Sequence, residues 1–299
     1  MDKSYILLYH GVTNSDSIGI ENSSGKHIKA EEFENQMKWL SKNKKVVPLK
    51  EVSKIQDSVA ITFDDAFKNI HDVALPILKK YDLPSTFFIT TGFVESEKLF
   101  WVDRVEHIIN YSKNSFIELS MIHEKRFWPI SNNEDKLHTM NIIKAILKRL
   151  NPNARDEMIK DIELQLGFNK DRLSEYYKTL SWDDVKDLHD SPKYEVGCHT
   201  VNHEILSYLD DKKLEYEIGD CIDTLSKKLG KPVDSFSYPE GQEIHYNDKV
   251  ISVLKKHGIK ICPSAIDGNV DETDDNFNLK RVMVGFWGKK FPFEEYYND

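Results

Sequence analysis

Only three cysteines occur in the 299 residues, Cys198, Cys221 and Cys262. An odd number at wide spacing excludes a disulfide framework and a paired-cysteine metal knuckle. It leaves three buried or half-buried thiols as the plain reading, with Cys198, beside His199, open as a thiolate ligand. Basic charge is also scarce. Lys and Arg number 41 against 50 Asp and Glu, a net charge of −9, whereas a nucleic-acid surface needs clustered cations to neutralise phosphates. The short basic runs Lys42–Lys45 and Lys289–Lys290 read as solvated surface. Long apolar runs are missing as well, and nothing approaches the roughly 20 apolar residues of a membrane span. The opening MDKSYILLYHGV carries one continuous apolar stretch, Tyr5–Tyr9, without the cleavage site of a secretory signal. The expected location is therefore the cytoplasm, the inner membrane surface included. Internal repeats and low-complexity tracts are absent, and no oligomeric interface is legible.

What the chain does have is a rhythm. At 39% hydrophobic it can bury one large α/β domain or two smaller ones. Strands are expected at Tyr5–Tyr9, Ser58–Phe63, "STFFIT", Tyr194–Gly197, Asp234–Tyr238, Ile259–Cys262 and Leu279–Val284. Helical patterns lie between them. "IKAEEFENQMKWLSKN" puts Phe33, Met37 and Leu40 on one stripe, and Ile70–Lys80 turns Val73, Ile77 and Leu78 inward. In "SWDDVKDLHD", Ser181 caps a helix with Asp184 completing the box. Lys212–Leu229 forms a long amphipathic helix closed by Gly230, and Asn247–His257 ends at Gly258. Such alternation implies parallel strands joined by crossover helices, in an open sheet or a barrel. Residues 96–180 break the pattern with a helix in "FWVDRVEHIINYS", a hairpin turning near Glu124 and two further helices. They read as an inserted, mainly helical subdomain that either shapes substrate specificity or packs as a lid.

Chemistry-bearing residues gather where strands end. "VAITFDDAFKN" places Asp64 and Asp65 after the second strand, where one carboxylate can cap a helix or both can serve a site. "EVGCHTVNHEIL" follows another strand with His199 and His203 four apart. Two histidines and an aspartate, with a fourth position open, form a hydrolytic metal site. Taken alone, the histidines are more commonly a satisfied surface pair. "SYPEG" makes a sharp turn at Tyr238, Pro239 and Glu240 whose backbone N–H groups can face an oxyanion, or simply turn the chain. "ILLYHG" ends the first strand at His10.

Together "ITFDDAF", "EVGCHTVNHEIL" and "FSYPEG", in this order, resemble the polysaccharide deacetylases of the NodB-homology, or carbohydrate esterase 4, group. "ILLYHGV" and "LSWDDVKDLHDS" support the match, which spans residues 4–95 and 180–285. The resemblance implies a distorted (β/α) barrel of about seven strands. It implies Asp64 as general base, and Asp65, His199 and His203 as ligands of a divalent metal, most often zinc. Thr200 takes the hydroxyl position that steadies the loop. Tyr238, Pro239 and, from the insertion, Trp101 are the expected substrate contacts.

Two departures from the family pattern matter. Ser237 stands where many members carry an arginine that holds the catalytic aspartate, and Arg281 in "NLKRVMV" is the candidate replacement. Glu240 replaces a tyrosine whose backbone N–H serves the oxyanion, a role that survives a change of side chain. The usual C-terminal Leu-x-x-His motif has no match. One branch with F-x-Y-P-x-G turns carries that histidine near the N-terminus, which makes His10 the general acid. The implied reaction is hydrolysis of an N-acetyl group from an amino sugar of a surface glycan or its nucleotide- or lipid-linked precursor, as in lipopolysaccharide or capsule synthesis. Other acyl or amide bonds, and a carbohydrate-binding pseudoenzyme, are the alternatives.

Overall fold

The computed structural model describes residues 3–121, 124–168 and 173–298. Strands are β1 (Tyr5–Tyr9), β2 (Gly11–Thr13), β3 (His27–Lys29), β4 (Lys45–Val46), β5 (Ser58–Phe63), β6 (Ser85–Ile89), β7 (Phe116–Met121), β8 (Glu124–Pro129), β9 (Tyr194–Cys198) and β10 (Val282–Met283). Helices are α1 (Ala30–Asn43), α2 (Leu75–Lys80), α3 (Trp101–Tyr111), α4 (Asn133–Leu147), α5 (Pro152–Leu166), α6 (Trp182–Asp187), α7 (Asp211–Glu215), α8 (Cys221–Leu229) and α9 (Asp248–Lys256). The chain divides into two compact units. One comprises Met1–Asn14, Ser24–Glu97 and Lys178–Asp299, the other Ser15–Ser23 and Lys98–Tyr177.

The larger unit is built on parallel strands in the order β10-β1-β5-β6-β9, with β4 also pairing β5. Hydrogen bonding continues past β9. Cys198 donates to Ser235 and accepts from Ser237, and Phe236 donates to Ile261. Ser264 then donates to Leu279, and Arg281 to Ile266, on the segment that leads into β10. The path thus returns to its start and closes a barrel of seven staves, five of them named strands and two the short segments around Phe236 and Ile261. Those two, and the last stave, are shorter than the sequence suggests. Pro232, Pro239 and Pro263 flank them, and a proline donates nothing to a ladder.

The staves are apolar on both faces, as parallel strands covered by helices must be. Ile6, Ala60, Phe88, Ile261 and Leu279 share one cluster. Across the strands, Tyr9, Phe63 and Phe87 form a run of stacked rings at 5.5 and 5.3 Å, with Phe33 of α1 edge-on to Tyr9. Gly197 lies opposite Phe88 in the register, and a Cβ there would come within 2.7 Å of that ring. Only glycine admits that approach.

Two helices differ from their expected form. Residues Ile70–Ala74 wind as a π turn before α2, which rotates the buried face to Ile70, Ala74, Leu75 and Leu78 and leaves Val73 and Ile77 half-buried. A second π turn, Tyr216–Asp220, splits the expected 212–229 helix into α7 and α8, which ends at a left-handed Gly230. The Ser181–Asp184 capping box forms as expected.

In the smaller unit, α3, the β7–β8 hairpin, α4 and α5 enclose an apolar core that includes Val105, Ile109, Ile117, Met140, Ile143 and Ile162. The turn expected near Glu124 falls on residues 122–123, outside the described ones. Residues 15–23 join this unit although they lie far away in the chain. Ile20 is buried in its core, and Asn110 clasps the segment by accepting from the Ile20 N–H and donating to the Ile18 carbonyl, each at 2.9 Å. Phe87→Ala, at a fully buried position, is expected to cost about 3–5 kcal/mol, read as a lower urea midpoint with an unchanged slope.

Candidate active site

Strand alternation makes the first half of the site. Along β5 and just past its end, Ala60, Thr62 and Asp64 are spaced by two and face the same way. Ala60 lies in the barrel cluster, and both Thr62 and Asp64 contact Arg281. Simple alternation would send Asp65 to the opposite face. Its backbone instead adopts φ 80°, a left-handed value that side chains rarely take, and this swings the second carboxylate beside the first.

The second half comes from the loop after β9. Asp65 Oδ1 lies 3.4 Å from His203 Nε2 and 3.7 Å from His199 Nε2. The candidate ligand atoms of the three residues all lie within 4.8 Å of one another. His199 Nδ1 is 2.7 Å from the Ser237 carbonyl, which can only accept, so that nitrogen carries the proton and Nε2 keeps its lone pair toward the carboxylates. Burial pushes the His199 ring below its ordinary pKa despite the opposing pull of Asp64, so it is neutral, as a ligand must be. Two imidazoles, His199 buried with its proton tied back and His203 half-buried, fit a divalent cation together with one carboxylate. Thr200 takes its expected place, its hydroxyl accepting from the His203 N–H at 2.8 Å.

Asp64 is held differently. Burial alone would raise its carboxyl, but Arg281 donates to both oxygens, at 2.8 and 2.7 Å, and holds it well below the usual carboxylate range. Arg281 is itself anchored by the Ser264 carbonyl and donates to Thr62 Oγ1 and Ser237 Oγ. The Ser237 hydroxyl donates in turn to Asp64 at 3.0 Å. Arg281 therefore reaches Asp64 from the far end of the chain. Ser237 adds a hydroxyl to Asp64 and a carbonyl to His199, a double contact that the sequence reading missed by treating this position only as a lost arginine. Its place two residues before Pro239, in a motif at a strand end, was the available signal.

The other expected residues separate. His10 follows β1, its ring 5.3 Å from that of Phe286, and burial lowers its pKa to about 3 against the attraction of Asp64. Glu240 sits half-buried at φ 60° in the turn that Gly241 completes. The Tyr238 side chain does not line a cleft. It is 1% exposed, stacked on Tyr246, and its hydroxyl donates to the Phe277 carbonyl, because alternation along the stave turns it to the face opposite Ser237, which points at Asp64 and Arg281. Pro239 is buried too. Trp101 packs against the core of the smaller unit with the Arg155 guanidinium 5.7 Å from its ring centre, so its ring is already engaged. Cys198 is buried and its thiol pushed up by desolvation, which keeps it protonated and apart from the ligand cluster. A second group, His71, Asp72 and Asp184, surrounds the Lys68 ammonium, 2.8 Å from each carboxylate, so a lysine already occupies the cation position.

The Asp64 carboxyl is depressed in the folded protein, so its contribution to stability is present above the unfolded carboxylate pKa and is lost as pH falls toward the folded value. Arg281→Met leaves the carboxylate buried without its partner, at about 3–5 kcal/mol near pH 7. In that variant burial raises the carboxyl, which protonates on mild acidification, so the stability gap to the wild type is expected to narrow as pH falls. Urea unfolding at several pH values measures it.

Comparison with known proteins agrees with this geometry. The polysaccharide deacetylase family model matches residues 51–262. The poly-beta-1,6-N-acetyl-D-glucosamine N-deacetylase of Staphylococcus aureus (strain MSSA476) is 26% identical over 275 residues, covering 88% of this chain and 71% of that protein. Among solved structures, the Streptococcus pyogenes deacetylase PplD in complex with acetate aligns with a TM-score of 0.61 at 17% identity, covering 96% of this chain and 94% of that one. IcaB from Ammonifex degensii aligns at 0.57 and 18% identity, covering 95% and 92%. The structural likenesses speak for the fold, and the family match for descent: the chain belongs to the polysaccharide deacetylase family.

Proposed function

We propose that the protein is a divalent-metal-dependent N-deacetylase that frees acetate from N-acetylglucosamine units of a β-1,6-linked glycan. The observation that carries this reading is the convergence of Asp65, His199 and His203 beside an aspartate, Asp64, which Arg281 holds ionised at rest. The substrate class rests on the name of the staphylococcal relative. No helix among the described residues is long and apolar enough to cross a membrane.

Asp65, His199 and His203 would hold the ion, with zinc favoured by the nitrogen-rich donor set. When bound, it supplies Lewis-acid polarisation of the acetyl carbonyl and acidifies water. Asp64 takes the proton of the attacking water, its position fixed by Arg281 and Ser237. The Glu240 backbone N–H, in the left-handed turn, donates to the oxygen that gains negative charge. The C–N bond then breaks, and the proton taken by Asp64 reaches the leaving nitrogen through His10. That ring is neutral at rest and gains basicity as negative charge builds on the substrate. The products are acetate and a free amine.

Asp64→Asn is expected to retain metal and lose activity by about 10²–10⁴-fold, while Asp65→Ala and His199→Ala lose both. Full turnover in Asp64→Asn would remove it as the base. Chelation should abolish acetate release and added zinc restore it, measured on a β-1,6-linked N-acetylglucosamine oligomer beside a nucleotide-linked N-acetylglucosamine. The second substrate suits a cytoplasmic enzyme acting on a precursor, and preference for it would move the substrate from polymer to precursor. N-formyl and O-acetyl sugars test the acyl group, and sugar binding without any release would sink the enzymatic reading.

A further inference from the structure

The loop that brings His199 and His203 together is costly to hold. Thr200 sits at φ 65° and His203 at φ 59°, left-handed values unfavourable for side chains and most so for a β-branched threonine. Part of the restraint comes from within the barrel, where the Thr91 and Gly92 N–H groups donate to the Thr200 and Val201 carbonyls. The donors of the two residues in the middle of the loop, Val201 and Asn202, are held by one residue. The N–H groups of Val201 and Asn202 both point at Glu217 Oε2, at 3.0 and 2.8 Å, and the Asn202 amide donates to Oε1 at 2.7 Å.

Glu217 is 3% exposed and lies in the π turn between α7 and α8. Burying a carboxylate is expensive unless it is fully hydrogen-bonded. Here all three of its hydrogen bonds come from the loop between the two candidate ligands. Two successive N–H groups on one anionic oxygen form a charge-assisted clamp, stronger and shorter than neutral bonds. π turns recur at functional sites, and this one carries the clamp.

We propose that Glu217 is the positioning residue of the metal centre: its carboxylate fixes Val201 and Asn202 so that the imidazoles on either side face Asp65. This rests on the metal reading above. Glu217 touches neither ion nor substrate, and acts through the loop.

The test is zinc affinity, measured by competition with a chromogenic chelator on folded, metal-stripped protein. E217A removes the clamp and is expected to weaken zinc binding about 10–100-fold. E217Q keeps one accepting oxygen, loses the charge, and should fall between E217A and the wild type, regaining most turnover at saturating zinc. S181A, which breaks the α6 capping box instead, should lower the melting temperature without moving zinc affinity. Wild-type affinity in E217A and E217Q overturns the inference, as does an equal loss in S181A, which would make the effect one of stability alone. If E217A does not fold, E217Q decides by the same criterion. Zinc failing to bind the wild type would overturn the metal reading, and this inference with it.

Discussion

The ion pair between Arg281 and Asp64 is the constraint around which the site is arranged. Both groups are almost wholly buried, and taking two charges out of water is repaid only by good geometry and full hydrogen bonding. Both conditions are met: two parallel bonds join the pair, and Ser264, Thr62 and Ser237 take up further donors of the guanidinium. The pair also links distant parts of the chain, since Arg281 immediately precedes β10 and Asp64 follows β5. β1 lies between those strands, so the pair bridges across a stave on the inner face of the sheet.

A second theme is backbone cost. Asp65, Thr200, His203 and Glu240 all have positive φ, and all lie just past the end of a stave. Such values cost of order 1–3 kcal/mol each and persist where surrounding structure over-determines them. The over-determination is visible here: the Thr200 hydroxyl and the Glu217 carboxylate hold the histidine loop, and the Ser237 carbonyl ties the His199 ring. The two adjacent aspartates thereby take different environments. One is clamped by a cation and kept ionised, and the other is turned toward two imidazoles. A metal ion and a base placed side by side need that division.

Much of this was legible in the residues. The strands Tyr5–Tyr9 and Ser58–Phe63, the Ser181 cap and the Gly230 stop follow from apolar runs and local capping chemistry, which are properties of short segments. The pairing of Asp64–Asp65 with His199 and His203 was readable because each motif sits at a strand end, and parallel strands bring their ends together. Less readable were the π turns at Ile70–Ala74 and Tyr216–Asp220, whose apolar spacing is that of an ordinary helix. Residues 15–23 carry no period at all, and it is the contacts of Asn110, Glu106 and Tyr111 and the core around Ile20 that show where they belong. The burial of Tyr238 and Pro239 was not readable either, because a motif names residues without saying which face they present.

The sequence by itself determined the alternation of strands and helices, the ligand types and the order of the motifs, because these depend on composition and spacing along the chain. The tertiary structure alone decided which arginine guards Asp64, that Ser237 serves both halves of the site, and that Glu217 clamps the histidine loop. Those contacts join residues 217, 38 and 15 or more positions apart. No local propensity encodes them, since they arise only when closure of the barrel brings distant strand ends within hydrogen-bonding distance.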